Sequence, residues 1–289
     1  MTDSVKGYGK SFSSFGEIVQ GRLANDEDFL ITLPVDLWAT CEIERVPIDA
    51  KSEVICEFEK SKRVAFEILN VINKSHGERL HISFTRNIPI GKGLSSSTAD
   101  MLSVVRALQE IYGFIATEQL ISRIFRKIEP HDALHYYMSV AYNHRSGELI
   151  CKLNYIPQYV IVMLDFGGAT NTEDYNVKLS FTEIEKNLYD KLYKRTVVAF
   201  MHQDDIEIAK CATESTRLHF DKHDKKLLVA IDKLIEVVDP LGVMVTHSGT
   251  CLGLLYNKKY SLSVDVQKLI LGVIPGVAIS QLSTLTLLQ

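Results

Sequence analysis

The chain has 289 residues and a net charge of −4, with 46% hydrophobic and 24% charged residues. That length supplies one large domain or two modest ones. The near-balanced charge excludes a global field that gathers nucleic acid or an anionic membrane, so any anion site must be local.

The N-terminus, "MTDSVKGYGKSF", lacks the apolar stretch of a signal peptide, and no run reaches membrane-spanning length. Cys41, Cys56, Cys151, Cys211 and Cys251 form no C-x-x-C pair, a usage that fits reduced thiols in a cytoplasmic protein. Residues 29–45 read as extended, interrupted by Pro34, and residues 52–58 alternate as a strand. Val64, Ile68, Leu69 and Ile72 mark a helix over 61–74. "RLHISFTRNIP" then alternates Leu80, Ile82 and Phe84 and stops at Pro89. Leu102, Val105, Leu108 and Tyr112 predict a helix over 97–112 that Gly113 ends, and a further helix follows Thr117. Pro130 is expected to open another, because proline suits a first turn.

"QYVIVMLD", 158–165, is an apolar strand, followed by the loop "FGGATNTEDYN". Residues 181–239 read as mostly helical. "GVMVTHSGTCLGLLY" reads as strand, glycine-bearing turn and strand, before a last helix and strand. Without a regular strand–helix alternation the fold class is α+β. A two-lobed division places one lobe at 1–155 and the other at 156–289.

The stretch "IPIGKGLSSSTAD", 88–100, raises the question of a phosphate cradle. It fails the P-loop pattern because Gly91-Lys92 is followed by Gly93, and it fails the dinucleotide fingerprint because Ser96 stands where a third glycine is needed. Glycines still let backbone approach a ligand closely, and first-turn amides of the next helix favour an anion. Taken alone, "GLSSS" reads as a serine helix cap behind a tight turn.

Pro89, Gly91, Gly93, Leu94, Ser96 and Ser97 together resemble the second signature of the GHMP kinase superfamily, and Lys92 with "STAD" resembles its L-threonine kinase branch. "SSFGEIVQG" (13–21), "IEPHDA" (128–133), "YNHRSGE" (142–148), "LDFGGATNTEDYN" (164–176) and "THSGTCLGLLY" (246–256) resemble further elements of that branch in order. The resemblance implies a two-lobed kinase fold with its active site between the lobes. It implies ATP and Mg²⁺ as cofactors and a small hydroxy amino acid, L-threonine or a relative, as acceptor, with no nucleic acid or membrane partner; it leaves room for a homodimer. Nucleotide phosphates are expected on Pro89, Gly91, Lys92, Gly93, Leu94, Ser95, Ser96 and Ser97, closed over by Ser248, Gly249 and Thr250, and Ser97 is expected to ligate Mg²⁺.

Glu129 and Asp132, three apart across the expected helix start, can divide the remaining tasks: Glu129 on Mg²⁺, Asp132 on the attacking hydroxyl. A capping pair is the ordinary alternative. Lys92 is a second catalytic candidate, as a cation on the phosphates. Glu17 and Gln20, following Gly16 in a loop before a strand, are acceptor-binding candidates or parts of a solvated turn. His131, Asp165, Gly167, Gly168 and Asn171 are further acceptor-binding candidates; the alternative for Asp165 is a turn cap, and for His131 an ordinary helix histidine. His131 and His135, at i and i+4 of "HDALH", mimic a zinc helix, but Asp132 stands where a zincin has glutamate. Two departures from the branch, Phe12 and Phe15 where cysteines are expected and Asn171-Thr172 where Asp-Thr is expected, leave homoserine, serine or a specialised-metabolite amino acid as alternative acceptors. The alternative outside enzymes is a GHMP-fold binding protein that has lost catalysis.

Overall fold

The computed structural model describes residues 4–168, 181–246 and 250–286. Two antiparallel strands, β1 (Val5–Arg22) and β2 (Asp28–Lys51), form the spine of a six-stranded sheet. The far edge of β2 is shared. Its residues 39–51 pair with β4 (His76–Arg86), which carries β3 (Glu53–Ile55) in parallel, and Leu30 and Ile31 pair with β5 (Val140–Asn143), which carries β6 (Glu148–Lys152). Pro34 does not break β2. It lies opposite Ser14, where β1 is bulged and the ladder is already irregular, so its missing N–H matters little.

The second sheet is antiparallel throughout, in the order β10 (Ala278–Ser283), β7 (Tyr159–Asp165), β9 (Cys251–Asn257), β8 (Gly242–Val245). Seven helices accompany the sheets among the described residues: α1 (Glu59–Val71), α2 (Ser96–Tyr112), α3 (Glu118–Arg126), α4 (Glu183–Met201), α5 (Asp205–His223), α6 (Lys225–Val238) and α7 (Val264–Val273). The architecture is α+β. The main core runs continuously from Phe12, Phe15 and Leu33 through α2 to Ile161, Phe200 and Leu255, so both sheets share it.

α2 is buried nearly all round, from Thr98 to Leu108, because its small residues lie directly on β1. The approach is close: a Cβ at Gly9 would stand 1.9 Å from the Ser103 carbonyl oxygen. Gly113 ends α2 in the left-handed conformation (φ 67), and the Thr117 side chain accepts from the Leu120 amide to start α3, both as the sequence predicts.

Two expectations fail. "SSFGEIVQG" is not a loop before a strand but the bulged second half of β1. And Pro130 opens no helix: residues 130–138 form an irregular segment. Its amides find partners elsewhere, His131 N on His144 O (3.2 Å) and Ser139 N on Tyr155 O (3.3 Å). Burial of Ala133, Leu134, His135 and Tyr136 holds this path against the local helical preference.

Candidate active site

The loop between β4 and α2 is shaped by left-handed residues at alternate positions: Gly91 (φ 71), Gly93 (φ 70) and Ser95 (φ 56). Alternation of this kind makes backbone concavities that suit anions. Leu94 (1% exposed) plugs the loop into the core, and Ser13 Oγ on β1 donates to the Leu94 carbonyl. Ser95 stands at the N-cap position of α2 but makes no capping hydrogen bond. Its hydroxyl donates instead to Asp132 Oδ2 and meets Ser14 Oγ from β1. That disposes of the plain helix cap as the reason for the serine cluster.

Two residues on, Ser97 Oγ donates to Glu129 Oε1 at 2.5 Å, while Lys60, in the first turn of α1, pairs with Glu129 Oε2. Glu129 is buried (8% exposed). Glu129 and Asp132 therefore converge on the head of α2 without the helix expected to align them; each is caught by a different serine. The Asp132 amide also reaches Thr98 Oγ1 (3.5 Å). Mg²⁺ takes hard oxygen ligands and keeps several for water and phosphate, so the adjacent Ser97 hydroxyl and Glu129 carboxylate fit a divalent ion shared with a phosphate. Among the described residues no group of three or more His, Cys, Asp or Glu could hold a metal on its own.

The third carboxylate is Glu17. The β1 bulges on either side of it set its direction. Gly16 (φ 49) permits the backbone to pass so close to β8 that a Cβ would stand 2.6 Å from Thr246 Cα. Glu17 is 3% exposed and its Oε2 has no hydrogen-bond partner among the described residues. Burial, with the charge of Asp132 adding to it, holds its carboxyl well above the usual carboxylate range.

Asp132 is pushed up to about 6, chiefly by burial; the Ser95 hydrogen bond opposes the rise and the charge of Glu129 adds to it. A carboxyl with that value is mostly ionised at neutral pH yet titrates close to it, which suits a general base. Ser95→Ala removes the opposing hydrogen bond, worth about 1.5–3 kcal/mol to a charged acceptor, and so is expected to move the Asp132 transition upward by about one pH unit or more. The position of the acid limb of a kcat–pH profile checks this. An unmoved limb would detach Ser95 from the titrating group.

Lys92 Nζ bonds Asp165 Oδ1 and the Gly168 carbonyl, both at 2.8 Å. It thereby ties the loop to the end of β7, where Gly167 (φ 82) and Gly168 (φ 71) turn the chain. The Gly167 amide donates to the same Asp165 oxygen (2.8 Å), and Phe166 N donates to Thr250 O (3.1 Å). Lys92, Asp165, Gly167, Gly168 and Thr250 thus form one cluster where the loop meets the end of β7. Pro89 and Ser96 are half-buried in the loop. Ser248, Gly249 and Asn171 lie outside the described residues.

Two candidates sit elsewhere. Gln20, further along β1, has its amide on Ser215 Oγ of α5 (3.3 Å). His131 (2% exposed) lies behind the Glu129–Asp132 segment rather than in front of it: Nε2 meets Tyr142 OH at 2.8 Å and Nδ1 lies 3.4 Å from Glu129 O. It braces the segment through Tyr142 and the Glu129 carbonyl. The sequence reading overlooked Ser14, Thr98 and Lys60. Ser14 was within reach, inside "SSFGEIVQG"; nothing local marks Lys60.

Comparison with known proteins gives four findings. Residues 62–138 match the model of the GHMP kinases N terminal domain. The chain is 23% identical over 251 residues to the L-threonine kinase of Salmonella typhimurium, covering 86% of this chain and 82% of that one. It is 24% identical over 253 residues to the L-threonine kinase of Citrobacter freundii, covering 85% of each. The homoserine kinase of Cytophaga hutchinsonii has the same fold, with a TM-score of 0.64 at 13% identity over 99% of this chain and 95% of that one.

Proposed function

We propose that this chain, whose residues 62–138 match the GHMP kinases N terminal domain, transfers the terminal phosphoryl group of ATP to the side-chain hydroxyl of a small hydroxy amino acid, L-threonine or a close relative, in a Mg²⁺-dependent reaction. The observation that carries this reading is the pairing of two carboxylates with two serines at the head of one helix, Ser95 on Asp132 and Ser97 on Glu129.

In this reading the loop from Pro89 to Ser97 and the Thr250 strand start hold the phosphates, with α2 presenting its N-terminal amides to them. Mg²⁺, when bound, neutralises charge on the phosphates, and Ser97 and Glu129 are the residues that would hold it. Asp132 orients the acceptor hydroxyl and takes its proton as the new oxygen–phosphorus bond forms and the bond to the nucleotide's leaving oxygen breaks. Lys92, held by Asp165, links the loop to the β7 turn and supplies a cation beside the phosphates.

Glu17 favours an amino acid over a sugar or a hydroxy acid. A buried carboxylate beside a second one, with an unpartnered oxygen, is costly unless a cation meets it. An ammonium group on the acceptor supplies that cation. Glu17→Gln is therefore expected to raise the acceptor KM roughly tenfold to a hundredfold, the scale of a lost charge-assisted hydrogen bond, and to leave the KM for ATP nearly unchanged. Steady-state kinetics with L-threonine and with 3-hydroxybutyrate, its counterpart without the amine, checks this. Equal use of the two by the unaltered protein removes the ammonium from the account.

A further inference from the structure

Lys60 is the one residue at the candidate metal position that neither the sequence motifs nor the roles above account for. Its ammonium pairs with Glu129 Oε2, while Ser97 takes Oε1. The two ends of that ion pair are unequal. The Glu129 side chain is 7% exposed and fixed on both oxygens, whereas the Lys60 side chain is 43% exposed. A buried ionised carboxylate is costly without a counter-charge; a half-exposed lysine on a flexible stem can supply it and can also leave.

The root of the lysine is held in place. Arg63, one turn along α1, donates to the Lys127 carbonyl at 2.9 Å, and Lys127 Nζ returns to Glu67 of α1 at 2.6 Å. These two bonds clamp α1 to the chain just before Glu129. Lys60 is thus kept within reach of Glu129 while its ammonium stays free to swing toward the head of α2.

We propose that Lys60 is the resident counter-cation of Glu129: it neutralises the carboxylate until a divalent ion arrives, yields Oε2 to that ion, and turns to the phosphate oxygens that come with it. The inference rests on the reading of Glu129 as a metal ligand. It makes Lys60 a positioning residue that sets metal affinity by competition. Removing the competitor must tighten metal binding, the opposite of what loss of a merely structural contact would do.

The experiment titrates Mn²⁺ into the protein in the presence of saturating ADP and follows the free-ion signal by electron paramagnetic resonance. Lys60→Met keeps the apolar stem and removes the charge; it is expected to tighten Mn²⁺ binding about fivefold, the scale of a half-exposed ion pair. Lys60→Arg is expected to restore the original affinity. The rise in Tm on adding Mn²⁺ and ADP is expected to be larger in Lys60→Met than in the unaltered protein, because the metal then relieves an uncompensated carboxylate. Unchanged or weaker Mn²⁺ binding in Lys60→Met overturns the proposal, provided that Glu129→Gln loses Mn²⁺; in that case the metal reading stands and only the role of Lys60 falls. If Glu129→Gln retains Mn²⁺, or if the unaltered protein binds none, both fall together.

Discussion

Asp132→Asn is expected to lower kcat by about 10²–10⁴-fold, the usual worth of a positioned general base, and to leave nucleotide affinity nearly unchanged. The acceptor hydroxyl has no accessible alkoxide near neutral pH, so the proton must leave during bond making. In the proposed reaction Asp132 is the carboxylate that takes it: Ser95 donates to it, Ser14 meets the Ser95 hydroxyl in turn, and Asp132 lies close enough to Glu17 for its charge to raise that carboxyl. The asparagine keeps the shape and the hydrogen bond from Ser95 but cannot accept the proton.

Stability separates this variant from a folding defect. The folded carboxyl is raised to about 6 from an ordinary value near 3.9. The stability this group contributes is therefore complete below its unfolded pKa and is lost as pH rises through about 6. Replacing it with a neutral amide removes that loss. Asp132→Asn should unfold no more easily than the unaltered protein at pH 7, and its relative advantage should grow between about pH 4 and 6. Single-turnover kinetics together with denaturant unfolding at both ends of that range checks the pair of claims. A variant with full activity would move the base elsewhere.

Glu129→Gln is expected to act on the metal instead. A neutral amide is a poorer ligand for a hard cation, so the Mg²⁺ concentration needed for half-maximal activity should rise at least tenfold, within the roughly 10–100-fold range that even partners of metal ligands command. Part of the lost kcat should return at high Mg²⁺. Ser97→Ala should shift the requirement in the same direction by less, since a hydroxyl is a weaker ligand than a carboxylate. Neither change should move the acid limb of the pH profile far, because Asp132 and Ser95 are intact. If Asp132→Asn shifts the metal requirement and Glu129→Gln does not, the two carboxylates have exchanged roles.

Much of the site was legible because its signals are local. Gly91, Gly93 and the serines lie within a few residues of one another, Gly113 and Thr117 punctuate neighbouring helices, and the Glu-Pro-His-Asp element falls in order behind them. The α+β class also followed from element types alone. What escaped depends on contacts made at a distance. Gly16 to Gln20 read as a loop before a strand, yet they lie in β1, where Gly9 is needed because α2 lies against it and Ser13 and Ser14 tie down the loop between β4 and α2. The helix expected at Pro130 lost to the burial of His131, His135 and Tyr136 against Tyr142. Strands β5 and β6 were not foreseen, since "YNHRSGELICK" has too short an alternation to declare itself. Lys60 meets a partner 69 residues away, which no spacing rule reaches.

The most direct test is phosphorus NMR of the purified protein with ATP, Mg²⁺ and L-threonine, with serine, homoserine, mevalonate and galactose as parallel acceptors. The expected result is a phosphomonoester resonance that grows with ADP in equal amount, is strongest with a hydroxy amino acid, and disappears in Asp132→Asn. ADP production that no acceptor stimulates, or a phosphomonoester formed on mevalonate or galactose in preference to every amino acid, would contradict the account.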